Sequence, residues 1–398
     1  MIGISKLYCG TVEPSDVLRY GRNSRKLPSH LLQFSEDKKP VVVWNVTRAC
    51  NLVCRHCYAS ATPGPAPDEL SRAEALGLLD QLLSYQVPVV LFSGGEPLMH
   101  PHIFELMEKV ARGGARVVLS TNGLLIDQAT AARLKDLGLS YVGVSLDGLA
   151  EAHDRFRRLP GAFGRTLKAM EAARAAGLKV GLRFTLSRDN VADLPGIFDL
   201  IEKEAWPRIC FYHLVGSGRG EEMGSAALSH QETRQAVDLI IERTQKLHQK
   251  GQPTEILTVD NHADGPYLYL KLKGEGRAGR AAQVLELLRL NGGNSSALGI
   301  GAISWNGLVH PDQFWRGLVL GDVRRRPFPE IWNDPDNPLL QALKHKKNHV
   351  TGRCRACSFL DICGGNLRAR AVAAGGDLWA PDPACYLTDE EIATLAVP

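Results

Sequence analysis

From residue 41 onward, short β-branched apolar runs alternate with longer amphipathic stretches. The runs are Val41–Trp44, Val87–Phe92, Arg116–Ser120, Tyr141–Leu146, Lys179–Thr185 and Ile209–Leu214. Their length and composition predict strands. Between them, apolar residues recur at helical spacing in SRAEALGLLDQLLSY (71–85), HIFELMEKVAR (102–112), DQATAARLKDL (127–137) and AFGRTLKAMEAARAAG (162–177). Ser71 followed by Glu74 has capping-box spacing, and Gly138 and Gly177 fall where helix C-caps are expected. Six strands alternating with helices imply an α/β fold with a parallel sheet and right-handed crossovers. Repeats of about 25–40 residues favour a barrel or partial barrel, a (β/α)6 relative of the TIM barrel.

The pattern loosens after the sixth run. GSGRGEEMGS (216–225) reads as a flexible loop, 229–250 as a helix, and 251–300 is Gly-rich and resists assignment. From about Gly301 the chain carries short strand-like pieces and several prolines. The expected division is an extension over 1–40, a core over 41–250, a connecting segment over 251–300 and a separate small domain over 301–398. In parallel α/β folds chemistry gathers at the C-terminal ends of the strands. The motifs fall there: TRACNLVCRHCYA (47–59) after the first run, SGGEP (93–97) after the second, STNG (120–123) after the third and SLDG (145–148) at the fourth.

Composition narrows the class. In 398 residues, 44% are hydrophobic and 23% charged, with net charge +4. These are the proportions of a globular protein, and so small a positive excess does not point to nucleic acid. No stretch has the length of a membrane span, and the N-terminus lacks the basic-then-apolar pattern of a signal peptide. A cytoplasmic protein is expected, where thiols stay reduced. Of nine cysteines, seven form two groups: Cys50, Cys54, Cys57, and Cys354, Cys357, Cys363, Cys385. Such clustering in a reducing compartment points to metal rather than disulfides. Cys9 and Cys210 stand apart and read as small buried hydrophobes.

Three cysteines within eight residues are one ligand short of a closed four-cysteine site. Three thiolates can hold three irons of a four-iron cluster, leaving the fourth iron open to the amino and carboxylate groups of an amino acid. Cys50-x3-Cys54-x2-Cys57 after one strand and Gly94-Gly95-Glu96-Pro97 after the next resemble the radical S-adenosylmethionine (SAM) superfamily. The resemblance implies a partial barrel, a SAM-binding [4Fe–4S] cluster on Cys50, Cys54 and Cys57, and reductive cleavage of SAM to a 5′-deoxyadenosyl radical. It also implies cofactor contacts. Gly94 and Gly95 would let backbone carbonyls approach the SAM ammonium, and Glu96 would add charge. Asn122 is a further contact. Ser145 and Arg157, twelve residues apart, would meet the SAM carboxylate and ribose. His56 stands where relatives carry an aromatic residue and would pack near adenine.

The spacing Cys354-x2-Cys357-x5-Cys363-x21-Cys385 alone accepts zinc or an iron–sulfur cluster. With its lead-in NGLVHPDQFWRGLVLGDVRRRPFPEIW (306–332), it resembles the SPASM or twitch extensions of radical SAM enzymes. That implies an auxiliary [4Fe–4S] cluster ligated by Cys354, Cys357, Cys363 and Cys385. Many relatives carry Pro-Cys where this chain has Pro311-Asp312, so one auxiliary cluster is expected rather than two.

MIGISKLYCG, LPSHLLQF, KKPVVVWNVTRACNL, NHADGPY, HPDQFW and CRACSFLDICGGN together resemble the radical SAM enzymes of modified-tetrapyrrole synthesis. The resemblance implies an iron tetrapyrrole substrate, 12,18-didecarboxysirohaem, and an electron donor such as flavodoxin or ferredoxin. Removal of its two acetate arms would give Fe-coproporphyrin III. The radical would take hydrogen from the ring carbon beside each arm. The ring radical would then gain a double bond as it expels the acetate arm, and the departing fragment would take an electron, with the auxiliary cluster as the candidate source. Replacement of propionates by oxo groups on the same substrate is the alternative, and peptide modification, common among SPASM enzymes, is a third. For a polyanionic, iron-bearing substrate, His213, Arg219, His262 and His310 are the candidate contacts. The basic runs RRR (324–326) and KHKK (344–347) read as solvated faces.

Overall fold

The computed structural model describes residues 1–11, 39–315 and 317–393. LPSHLLQF and most of the 1–40 extension lie outside the described residues. All six expected strands are present: β2 (Val41–Thr47), β3 (Val89–Gly94), β4 (Arg116–Thr121), β5 (Tyr141–Ser145), β6 (Val180–Leu186) and β7 (Arg208–His213). They pair in sequence order and in parallel. A seventh parallel strand, β8 (Glu255–Val259), follows β7. It comes from the stretch that resisted assignment, which also forms helices over Asp264–Gly274 and Ala278–Asn291. β8 is fully buried and lacks polar alternation, so its run EILTV carried little periodic signal.

Both edges of this parallel core are extended. Beyond β8, β1 (Ile2–Gly3) pairs antiparallel, and Ser5 Oγ accepts from Ile256 N at 2.8 Å. On the other side β9 (Ile300–Ile303) runs parallel to β2, followed by β10 (Leu308–His310) and β11 (Gly321–Asp322) in antiparallel hairpins. The result is one eleven-stranded sheet running from β1 to β11, so the segment after residue 300 continues the sheet. Among the described residues β1 and β11 do not pair, which leaves the barrel partial.

Strand periodicity separates two faces. Val90, Phe92, Val142, Val144, Leu182, Phe184, Ile209 and Phe211 are buried against helices, sharing a core with Leu79, Leu106, Met107, Met170 and Ile201. Phe198 stacks on Phe211 at 5.4 Å. Each such ring contributes about 2–3 kcal/mol by burial. The other, inner face carries Asn45, Ser93, Ser120, Ser145, Arg183 and Tyr212, none of which belongs to that core.

The helices start and stop where local chemistry directs. Ser71 caps Arg72–Ser84 in a complete capping box with Glu74, and Ser229 does the same for His230–Gln249 with Glu232. Gly138 and Gly177 adopt positive φ just beyond their helices, as expected. GSGRGEEMGS is not a flexible loop. Residues Gly218–Ala226 wind into 3-10 turns with Gly220, Met223 and Ala226 buried, because the segment packs on the cysteine loop.

Candidate metal centre

The loop that follows β2 is closed on itself by main-chain bonds. Cys50 N donates to Thr62 O at 2.7 Å, and Thr62 N to Arg48 O at 3.0 Å. Cys50, Cys54 and Cys57 are free thiols, close enough that Cys54 and Cys57 act on the ionisation of Cys50, and Cys57 on that of Cys54. Burial pushes Cys50 up to about 12 and also raises Cys54. Such thiols stay protonated unless a metal displaces the proton. Among the described residues no three His, Cys, Asp or Glu side chains converge tightly enough to hold a single metal ion.

Three neighbouring segments hold this loop. The first is the turn after β3. Gly95 N donates to Thr47 O at 2.8 Å and Glu96 N to Ala49 O at 2.7 Å. Gly94 takes φ +132°, and a Cβ on Gly95 would collide with the carbonyl oxygen of Ala49. The glycines thus serve the loop directly, by letting two strand ends touch. The Glu96 side chain turns inward and is fully buried, with its carboxylate accepting from Thr121 Oγ1 at 2.8 Å, Asn122 N at 2.9 Å and Leu98 N at 3.2 Å. Burial raises its carboxyl, against the pull of those donors. Asn122 completes the link: its Nδ2 donates to Asn51 Oδ1 at 2.7 Å and lies 3.9 Å from Cys50 Sγ.

The second segment is the end of β5 with the helix Ala150–Arg157. Arg157 is buried and pairs with Asp147 Oδ2, while its Nη1 stands 3.4 Å from Cys54 Sγ. Asp147 also accepts from Thr185 N at 2.8 Å and lies 3.3 Å from His56 Nε2. Burial works to raise Asp147; Arg157, then His56, outweigh it and hold it below the usual carboxylate range. His56 meets Phe156 edge-on at 5.3 Å, and burial lowers it to about 4, so the ring is neutral. Sequence reasoning missed Asp147, although an acid closing the apolar run of SLDG was a legible signal. Ser145 ends β5 half-buried, beside Arg183 in the sheet register.

The third segment is the 218–226 turn. Gly218, at φ +59°, lies so close that a Cβ would strike the carbonyls of Tyr58 and Cys57. Arg219 donates from Nε to Cys54 O at 2.9 Å and from Nη1 to Ala61 O at 2.7 Å. Arg219 was expected at the substrate; the structure puts it on the loop's backbone. Tyr58 folds back to Asn45 Oδ1 (2.9 Å) and Ser93 Oγ (2.8 Å), tying the loop to the inner face.

The second cysteine group gathers in short turns after β11. Cys354, Cys357, Cys363 and Cys385 are free thiols, and the other three all act on the ionisation of Cys363. Burial raises all four, Cys385 to about 11. Arg370 docks this group against the barrel: it pairs with Asp382 at 2.8 Å and donates to the carbonyls of Leu214 and Asp260, just past β7 and β8. Replacing Arg370 by lysine keeps the charge but loses the fork of donors. It should cost about 2 kcal/mol in a denaturant titration; no change would show that the docking contact is idle. At the departure from Pro-Cys, Asp312 is buried and accepts from Ser296 Oγ, Phe314 N and Trp315 Nε1. Its oxygens are spent on holding a turn.

The remaining candidates are dispersed. His213 ends β7, buried, with Nε2 2.9 Å from Asp264 Oδ2, whose other oxygen accepts from Tyr386. His262 is buried beside Asn366, its Nδ1 without a partner among the described residues. His310 has both ring nitrogens engaged, with Ser304 Oγ and Leu318 O at 2.8 Å each, which gives it a holding role in the β10 hairpin. Lys346 of the basic run KHKK is buried rather than solvated, donating to Ser296 O at 3.1 Å.

Comparison with known proteins fits this geometry. The chain matches the Radical SAM superfamily over residues 44–201 and SPASM, an iron–sulfur cluster-binding domain, over 299–358. It is 59% identical over 395 residues to the Fe-coproporphyrin III synthase of Methanosarcina barkeri, covering 98% of this chain and 99% of that one. The chain belongs to the radical SAM superfamily. A second relative is the Pre-heme d1 synthase of Dinoroseobacter shibae, 40% identical, with 89% of this chain and 88% of that one covered. The fold is also that of Streptococcus suis SuiB bound to its precursor peptide SuiA (TM-score 0.68, 17% identity, 92% of this chain and 80% of that chain). As a radical SAM protein with a SPASM domain, it is an enzyme whose cofactors are SAM and two [4Fe–4S] clusters. The donor set fits them: all seven thiols are free, with Cys50 and Cys54 buried and Cys57, Cys354, Cys357, Cys363 and Cys385 partly buried. No described helix is long and apolar enough to cross a membrane.

Proposed function

We propose that this radical SAM enzyme is an Fe-coproporphyrin III synthase that removes the two acetate arms of 12,18-didecarboxysirohaem. The observation that carries the reading is 59% identity along virtually the whole of both chains. The pre-haem d1 reaction is the second reading, supported at 40% identity. Cys50, Cys54 and Cys57 would hold the SAM-binding cluster, and Cys354, Cys357, Cys363 and Cys385 the auxiliary one. When bound, the first cluster and SAM supply a 5′-deoxyadenosyl radical. The polypeptide's part is positional. Gly94, Gly95 and Arg219 fix the cysteine loop, and Arg157 sets a buried cation beside Cys54. Glu96 and Asn122 brace the loop from the next two strand ends.

His213 supports an iron-bearing substrate. A histidine whose Nε2 is oriented by a carboxylate, here Asp264, is the usual arrangement for a metal ligand through the other nitrogen. We assign His213 as the axial ligand, a one-electron donor such as flavodoxin or ferredoxin as reductant, and the cytoplasm as the site of action. Anaerobic reconstitution with SAM, reductant and 12,18-didecarboxysirohaem should convert the pigment to Fe-coproporphyrin III, read by mass and absorption. A product carrying oxo groups in place of propionates would move the protein to the second reading. An unchanged pigment beside 5′-deoxyadenosine would refute the substrate.

A further inference from the structure

Arg183 lies on β6, on the inner face, away from the helices. Its register neighbours make room for it. Gly143 on β5 faces Gly181 on β6, and a Cβ at Gly143 would collide with Arg183 Nε. Gly181 likewise accommodates the hydroxyl of Tyr141, so that two glycines open one hollow filled by a guanidinium and a phenol.

Among the described residues no carboxylate pairs with this cation. Arg183 donates from Nη1 to Ser120 Oγ at 2.7 Å, its guanidinium stands 5.8 Å from the Tyr212 ring, and its Nε is buried without a partner among the described residues. The side chains acting most on its charge are Tyr212, Tyr141, Cys210 and Tyr58, none of them a carboxylate. The contrast with Arg208, lower on β7, is direct: that guanidinium lies 3.5 Å from Glu255. A partly buried arginine held by a hydroxyl and by ring faces retains an unspent donor fork. Forks of this kind bind carboxylates, in a pair roughly twice as strong as a neutral hydrogen bond. The fork also lies next to the cysteine loop, since Tyr58, adjacent to Cys57, is among its neighbours and bonds to Ser93 and Asn45 on the same face.

We propose that Arg183 is a substrate-recognition residue that binds a peripheral carboxylate of the tetrapyrrole on the inner face, with Ser120 orienting the guanidinium and Gly143 providing its space. The inference rests on the function proposed above. It adds a specificity determinant: this face selects a free carboxylate over an ester or amide.

The test uses the full-length protein reconstituted with both clusters, without reductant, titrated with 12,18-didecarboxysirohaem and with its fully methyl-esterified form while the pigment absorption is followed. Wild type should prefer the free acid. Arg183→Gln should weaken the acid by about tenfold or more and leave the ester unchanged, as expected for losing one charge-assisted pair. Arg183→Lys should recover part of the loss. Gly143→Ala, which displaces the guanidinium without deleting it, should act like Arg183→Gln and serves if that variant does not fold. SAM affinity, measured in parallel, should not move. Unchanged acid binding in folded Arg183→Gln overturns the proposal. So does a loss confined to SAM affinity, which would make the SAM carboxylate the anion. If wild type binds neither pigment, the tetrapyrrole reading itself falls, and this inference with it.

Discussion

Gly95→Ala is expected to cut 5′-deoxyadenosine formation by about 100-fold or more while leaving the four C-terminal cysteines able to take up iron. The added methyl would collide with the carbonyls of Ala49 and Arg48, and all the atoms it meets are backbone. Rotamer adjustment cannot relieve such a clash, so the Arg48–Cys50 segment must move. Two main-chain bonds, Gly95 N to Thr47 O and Glu96 N to Ala49 O, move with it. A displacement of about 1 Å at a reacting centre is worth about 100-fold in rate. Iron counting on the reconstituted variant separates loss of the cluster from loss of its geometry. Gly77→Ala is the control: it lies within the helix Arg72–Ser84 with no atom in reach of its Cβ, and should match wild type in activity. Wild-type SAM cleavage by Gly95→Ala would show that the GGEP turn does not set the loop.

Asp147→Ala should destabilise the fold by about 3–5 kcal/mol, the usual cost of leaving one member of a buried ion pair without its partner. Asp147 is 1% exposed and answers Arg157, His56 and Thr185 N together. Without it, the Arg157 guanidinium stays buried beside the Cys54 sulfur, its paired carboxylate gone. Chemical denaturation at pH 7 measures the loss; a shift below about 1 kcal/mol would mean that Arg157 finds water or another acceptor. The pH dependence has a definite sign. The folded carboxyl is held below its ordinary value of about 3.9, so its contribution is fully present above that value. The contribution is lost as pH falls through the depressed folded value. The Asp147→Ala variant should therefore approach wild-type stability in acid.

Much of this protein was legible before any coordinates. The six runs from Val41 to Leu214 became β2 to β7 because a strand buried on one face must alternate, and alternation is a local property. Ser71 with Glu74, and the glycines at 138 and 177, marked helix ends by bonding rules that act within four residues. The three-cysteine loop and GGEP were visible because their ligands and glycines sit at short, fixed spacings. β8 was not, since EILTV is buried throughout and offers no periodicity.

The roles of individual polar residues were decided only by tertiary structure. The two bonds of Arg219 to the cysteine loop, across 158 and 165 residues of sequence, could not be read from spacing along the chain. Asp147, Arg370 and Asp382 owe their importance to partners brought in by separate strands and turns. Arg183 is the sharpest case. In the sequence it is one arginine inside an apolar run. In the fold it is a cation on the inner face, seated over a glycine and, among the described residues, paired with no acid. Spacing along the chain determines which residues can form a strand, cap a helix or share a cluster. Whether a charge is matched depends on every element packed against it, and only the folded sheet determines that.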